Sequence, residues 1–285
     1  MLMSKTPDEL RERIRDYYLT TTDASYLKSW SPESLGVHFG IDGEGVTTHE
    51  ESLANTNRFL ASALGLTAEM RCLDAGCGVG GTAIWVAEHI GAQVLGINLA
   101  ENQIAHARRF ADARGVGDRT RFEVMDYAQT SLLPISLDAV WNLESLCHAS
   151  APGAVLSHLA SLLRPGGTYA CLDFFRGHRG DPENVRELCE GWVLPSFMTF
   201  EEAQQAVEAT GLHITRATDE TERVLRSAST LIQMANARRV QLEFQRAFMG
   251  GVDPIYDGHT RAALGCSRGF YDGSVTYGLI VASKS

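Results

Sequence analysis

Arg71-Cys72-Leu73-Asp74-Ala75-Gly76-Cys77-Gly78-Val79-Gly80-Gly81 is the stretch from which the rest of the chain is read. Cys72, Leu73 and Ala75 make a short apolar strand, the glycines break it, and Thr82, Ala83, Ile84 and Trp85 open a helix. Gly76, Gly78 and Gly80 have no β-carbon, so the main chain can turn with positive φ and let a ligand lie almost against it. This order places Asp74 at the carboxyl end of a strand, the edge at which open parallel sheets hold ligands.

The same letters satisfy Gly-x-Gly-x-x-Gly through Gly76, Gly78 and Gly81, the dinucleotide fingerprint, so the turn alone does not decide the ligand. A dinucleotide site usually carries an acid about 20 residues on for the ribose. Here the second strand ends in Gly96-Ile97-Asn98-Leu99, and that acid is missing. An aspartate ahead of the first glycine suits a cationic sulfonium amino acid, S-adenosylmethionine (SAM), and would repel a pyrophosphate.

Outward from this turn, strands alternate with helices. Strands are predicted over Arg71–Ala75, Gln93–Asn98, Arg121–Met125, Leu137–Leu143 and Thr168–Phe174, with helices over Thr82–Ile90, Glu101–Arg114 and Ala151–Leu163 between them. That rhythm means a doubly wound, mostly parallel α/β sheet. Two later strands, Leu212–Ala217 and Ser274–Ala282, bring the total to seven.

Before the sheet, Thr6 with Glu9 and Thr48 with Glu51 have capping-box spacing, so helices start at Pro7 and just after Thr48. Between them, residues 20–46 read as loop-rich, with Tyr26, Trp30, His38 and Phe39 among Gly and Ser. After Phe175 the sequence turns helix-rich: a start at Thr199 with Glu202, an amphipathic region from about Glu220 to Met249, and a helix opening at Asp253-Pro254. The expected organisation is an N-terminal helical or lid region over residues 1–66 and a ligand-binding domain over 67–285. A helical insertion at about 176–272 would cover the ligand edge. The first helix reads as packing, as a lid, or as an arm through which two copies associate.

Acids outnumber bases 35 to 25, and no basic run appears, which argues against a nucleic-acid partner. The six cysteines are scattered without a Cys-x-x-Cys pair, and the histidines are dispersed, so no metal site is expected. No stretch of about 18 apolar residues could span a membrane, and the start of the chain is charged rather than signal-like. A cytoplasmic protein is expected.

Polar residues gather at the strand ends: Asp74, Asn98, Asp126 with Tyr127, and the run from Asn142 to His148, all at one edge because parallel strands share a direction. With these residues in view the chain resembles a class I SAM-dependent methyltransferase of Rossmann-like fold. Within that class it is similar to the sterol C-methyltransferase and cyclopropane-synthase-like group. The carrying stretches are Leu73 to Gly81, Gly96 to Leu99 with Gln103, Asp126-Tyr127, Asn142 to Ala149 and Leu163 to Gly167, within roughly Tyr17 to Phe175. The Glu-Ser-x-Cys-His-Ala run and the region from Tyr17-Tyr18 to His38-Phe39 point to the subgroup.

The resemblance implies that Asp74 with Gly76, Cys77 and Gly78 holds the methionine part of SAM. It gives Asn98, Leu99 and Gln103 to the ribose and Asp126 with Tyr127 to the adenine, and adds Asn142 to the cofactor set. It implies a small, largely apolar acceptor, terpenoid or sterol-like, with C-methylation of an alkene through a carbocation. An O- or N-methyltransferase, or a methyltransferase-like cyclase, are the alternatives. Glu144, His148 and Tyr18 are candidate catalytic residues, with Glu144 and His148 at i and i+4 on one face of a helical turn. Tyr17, Tyr26, Trp30, His38, Phe39 and Phe174 are candidate pocket residues, although each alone also reads as packing.

Overall fold

A period of two along each strand sorts the side chains of this chain into two cores. In the computed structural model, which describes residues 6–31, 33–132 and 136–285, Cys72, Trp141, Ala170, Leu172 and Leu279 face one core. Their neighbours Leu73, Val140, Tyr169, Cys171 and Ile280 face the other. Strands buried on both faces read as continuous apolar runs, which is why Cys72 to Ala75 carries no polar residue but Asp74.

The elements follow in order. Helix α1 (Pro7–Thr21) continues into a π-helical stretch (Thr22–Trp30), and α2 (His49–Leu64) leads to β1 (Arg71–Ala75), α3 (Gly81–His89), β2 (Gln93–Asn98), α4 (Glu101–Ala113) and β3 (Thr120–Val124). Then come β4 (Leu137–Leu143), a short 3-10 turn (Leu146–His148), α5 (Pro152–Leu162), β5 (Leu163–Arg176), α6 (Pro182–Gly191) and α7 (Phe200–Glu208). The chain closes with β6 (Leu212–Asp219), α8 (Leu225–Phe248), α9 (Pro254–Asp272) and β7 (Val275–Lys284). Seven strands form one sheet in the order β3-β2-β1-β4-β5-β7-β6, parallel except for β7, which runs antiparallel to both its neighbours.

The three expected capping boxes are formed, with Thr6, Thr48 and Thr199 each accepting from the backbone of Glu9, Glu51 and Glu202. Residues 20–46 are less loop-like than their composition. Thr21 and Thr22 turn their hydroxyls back onto Tyr17 O and Tyr18 O at 2.8 and 2.6 Å, and the helix widens past them rather than ending. Helix α6, which no capping box announces, is capped instead by Asp181.

Strand order reverses between β1 and β4, so the connections leaving their carboxyl ends diverge and open a crevice there. Asp74 and Leu143 stand at those ends with Asn98 at the end of neighbouring β2, and α1 lies over the opening.

Candidate active site

Two neighbouring cavities occupy this edge. The first, of about 140 Å³, is lined by Asp74, Gly76, Cys77, Gly78, Asn98, Leu99, Gln103, Asp126 and Tyr127. Asn142 does not reach it. Its amide donates to Ala75 O at 2.8 Å and to Ser145 Oγ at 2.9 Å and accepts from Tyr169 OH, which makes it a strut between β1, β4 and β5.

Gly76 has φ 101°, and a β-carbon there would stand 2.4 Å from that of Ser145, so the turn closes only around glycine. Asp74 is 2% exposed, and its Oδ2 has no hydrogen-bond partner among the described residues. Burial pushes its carboxyl up to about 7, against the pull of the Trp141 indole and the Ala83 amide. Gln103 Nε2 is a second buried atom without a partner among the described residues, while its Oε1 accepts from Asn98 Nδ2. A buried acceptor and a buried donor left open at one cavity call for a ligand with the converse groups. SAM's ammonium and ribose hydroxyls fit them.

Asp126 is already engaged: its Oδ2 takes 2.6 Å from Arg11 Nε on α1, and its Oδ1 accepts from Ala128 N at 2.8 Å. Arg11 lines the same cavity, and nothing in its sequence context marked it. Tyr127 donates to Ser145 O at 2.8 Å, turning its ring into wall.

The second cavity, about 60 Å³, is lined by Tyr17, Tyr26, Trp30, His38, Phe39 and Phe174 together with Trp192, Met234, Arg238 and His259. Tyr18, Val37, His38, Glu144 and His148 line both cavities and form the wall where they meet. The aromatics lock by edges: Tyr17 on Tyr18 at 5.0 Å, Trp30 on Phe39 at 6.1 Å.

Glu144 and His148 do not share a helical face as the spacing predicts. Glu144 sits in the left-handed region at φ 47° before the turn starts, and only Leu146–His148 coil, as a 3-10 turn. Glu144 Oε1 accepts from Phe39 N at 2.6 Å and from Tyr277 OH at 2.7 Å. Burial pushes the carboxyl up to about 8 in spite of both bonds. His148 Nδ1 faces Val193 O at 3.3 Å, and a carbonyl only accepts, so Nδ1 carries the proton and Nε2 accepts from Tyr18 OH at 2.9 Å. Burial lowers His148 to about 4, which keeps it neutral. His38, likewise held near 4 by burial, donates Nδ1 to Phe39 O and leaves Nε2 without a partner among the described residues.

Leu35, Glu144 and Val193 are the non-glycine residues with positive φ among those described. Such backbone costs of order 1–3 kcal/mol per residue and collects where a site over-determines it. Leu35 and Glu144 line the first cavity, and the strained Val193 holds out the carbonyl that orients His148.

The methyltransferase-domain family pattern matches residues 72–167. The 27-O-demethylrifamycin SV methyltransferase of Amycolatopsis mediterranei is 36% identical over 189 residues, 64% of this chain and 68% of that protein. The sterol 24-C-methyltransferase of Yarrowia lipolytica is 29% identical over 206 residues, 70% of this chain and 53% of that protein. The chain therefore spans about half the length of the sterol relatives it matches. Its fold superposes on the [4+2]-cyclase SpnF with a TM-score of 0.79 at 22% identity, over 96% of this chain and 95% of that one.

Fold and cavity edge define an α/β protein of the nucleotide-cofactor class. The chain belongs to the SAM-dependent methyltransferases.

Proposed function

We propose that this chain transfers the methyl group of SAM to an alkene carbon of a small, largely apolar acceptor, terpenoid or sterol-like, held in the second cavity. The observation that carries this reading is the shared wall: a polar cavity fitted to SAM meets an aromatic one at Tyr18, Glu144 and His148. SAM supplies an electrophilic methyl on sulfur. The enclosure then has to align the acceptor with it and keep water out. We read α1, with Arg11 bonded to Asp126, as the lid over the cofactor side.

Attack by an alkene breaks the methyl–sulfur bond, forms a carbon–carbon bond and leaves a cation on the acceptor. Faces of Tyr17, Tyr18, Trp30 and Phe39 lower the energy of that charge. The proton that is then lost passes to the Tyr18 hydroxyl oxygen as that hydroxyl gives its own proton to Nε2 of neutral His148, and the Nδ1 bond to Val193 O steadies the imidazolium so formed. Glu144, held by Phe39 N and Tyr277 OH, fixes the wall between the two ligands.

Transfer to oxygen is the second reading. His148 as a neutral base would serve it equally, and the Amycolatopsis relative is named for a 27-O-demethyl acceptor. Mass spectrometry of products from methyl-labelled SAM with isoprenoid, sterol, indole-terpenoid and polyketide panels separates the two. Label on carbon supports the first reading; label lost with an ether supports the second. Product without S-adenosylhomocysteine would mean a cyclase that transfers no methyl.

A further inference from the structure

The far end of the second cavity carries a positive charge that methyl transfer does not require. Arg238, from the middle of α8, lines the cavity, and among the described residues no carboxylate lies within ion-pair distance of its guanidinium. One of its five N–H groups donates to Ser25 Oγ at 2.7 Å. Behind it, Ser25 Oγ meets His259 Nε2 at 3.2 Å, and His259 Nδ1 meets Tyr17 OH at 2.6 Å, which in turn meets Tyr26 OH at 3.0 Å. Guanidinium groups in apolar surroundings ordinarily stand beside an acid, since an unpaired charge there is costly. This one is half-buried, shares its cavity with Trp30, Trp192 and Met234, and has beside it the Ser25 hydroxyl and, behind that, the neutral imidazole of His259, lowered to about 3 chiefly by burial and further by Arg238 itself.

We infer that Arg238 is the anchor for a single carboxylate on the acceptor, so that the substrate class is an apolar-tailed monocarboxylic acid lying with its head at α8 and its reacting carbon at the Glu144–His148 wall. The inference deepens the methyltransferase reading and rests on it. One guanidinium balances one negative charge and matches a carboxylate through paired N–H···O bonds. A diphosphate would bring several negative charges against that one cation. The aromatic walls, Trp30 and Trp192 among them, take the tail.

Three probes share one C15 isoprenoid tail and differ only at the head: farnesoic acid, methyl farnesoate, and farnesyl diphosphate with and without Mg²⁺. Binding to the S-adenosylhomocysteine-loaded chain is read from the fluorescence of Trp30 and Trp192, which line the cavity. The acid is expected to bind at least tenfold tighter than the ester, and Arg238→Gln to bring the two within twofold while affinity for S-adenosylhomocysteine, by calorimetry, holds. Arg238→Lys, which keeps the charge without the fork, should recover part of the preference. Equal binding of acid and ester, tighter binding of the diphosphate, or no binding of any probe by the loaded chain overturns the inference and leaves the methyltransferase reading in place. A chain that fails to take S-adenosylhomocysteine overturns the methyltransferase reading instead.

Discussion

The two cavities are built from different kinds of material. The cavity we assign to SAM is made by main chain and strand ends close together in sequence: Asp74 and the glycine turn, Asn98 with Gln103, Asp126 with Tyr127. Its neighbour is made by side chains from segments far apart, the end of α1 and its π-helical continuation, Phe174 on β5, Trp192 after α6, and α8 and α9. A site shaped by backbone tolerates little change because the turn itself is the cradle. One shaped by side chains on stacked helices can be re-lined without touching the sheet, so a single fold can keep its cofactor and change its acceptor.

Asp74→Ala is the sharpest way to break this contrast. Removing one partner of a buried charged pair costs about 2–3 kcal/mol, so SAM affinity by calorimetry is expected to fall roughly 30- to 150-fold. With the carboxyl raised to about 7, SAM should also bind more tightly as pH rises from 6 to 8, since the anion is what meets a cationic ligand. Asp74→Asn should flatten that dependence. Affinity unmoved by either substitution would mean that the cofactor site is held elsewhere.

At the shared wall the effects should fall on turnover rather than on binding. Glu144→Gln and His148→Ala are each expected to lower kcat tenfold or more, about 1.4 kcal/mol per tenfold, with SAM affinity within twofold of the parent. Unchanged turnover in both would return these residues to the role of packing. A fall in SAM affinity as large as the fall in kcat would erase the division between the two cavities.

Buried titratable groups make a prediction for the empty protein. Asp74 and Asp173 near 7 and Glu144 near 8 sit above their ordinary values because of burial. The stability they contribute is complete below about pH 4 and is lost as pH climbs through 7 to 8. His38 and His148, near 4, and His259, near 3, work the other way: their share is present above about 6.5 and is lost as pH falls toward 4. The two sets oppose each other between about pH 4 and 6.5, so Tm without cofactor should change little there and drop from pH 6.5 to 8.5. Stability then falls in the same window in which SAM affinity rises, and a scan with and without SAM shows both slopes.

The same contrast governs what could be read before any coordinates. Every strand of the sheet was legible within a few residues, because two-sided burial and glycine punctuation write the sheet into local composition. The meeting of Asp74, Asn98, Gln103 and Asp126 at one cavity was legible for the same reason, since they are strand ends and turns. Aromatics of the 17–39 region could be named as pocket candidates, but the helical continuation over Thr22–Trp30 could not, since Thr21 and Thr22 look like breakers until their hydroxyls are seen on the preceding carbonyls. Trp192, Val193, Arg238 and His259 left no signal. They lie in helices or turns without a motif, and only the docking of α6, α8 and α9 onto the sheet brings Trp192, Arg238 and His259 to the cavity and the Val193 carbonyl to His148. Spacing misled at Glu144, where a left-handed residue replaces the helical turn that i and i+4 implied.

The smallest expected effect is the most informative about the lid role we propose for α1. Arg11 and Asp126 join α1 to the rim of the cofactor cavity, and both side chains are partly exposed, at 40% and 19%. A bond so placed contributes at most about 1 kcal/mol, so Arg11→Ala should weaken SAM binding no more than about threefold to fivefold and should speed its release. Asp126→Ala removes the same bond together with the acceptor assigned to the adenine amino group. If the carboxylate touches the adenine, Asp126→Ala must exceed Arg11→Ala, and the double variant must match Asp126→Ala alone. If Asp126 serves only to latch α1, the two single variants and the double will coincide, and the adenine contact has to be sought on another residue of that wall.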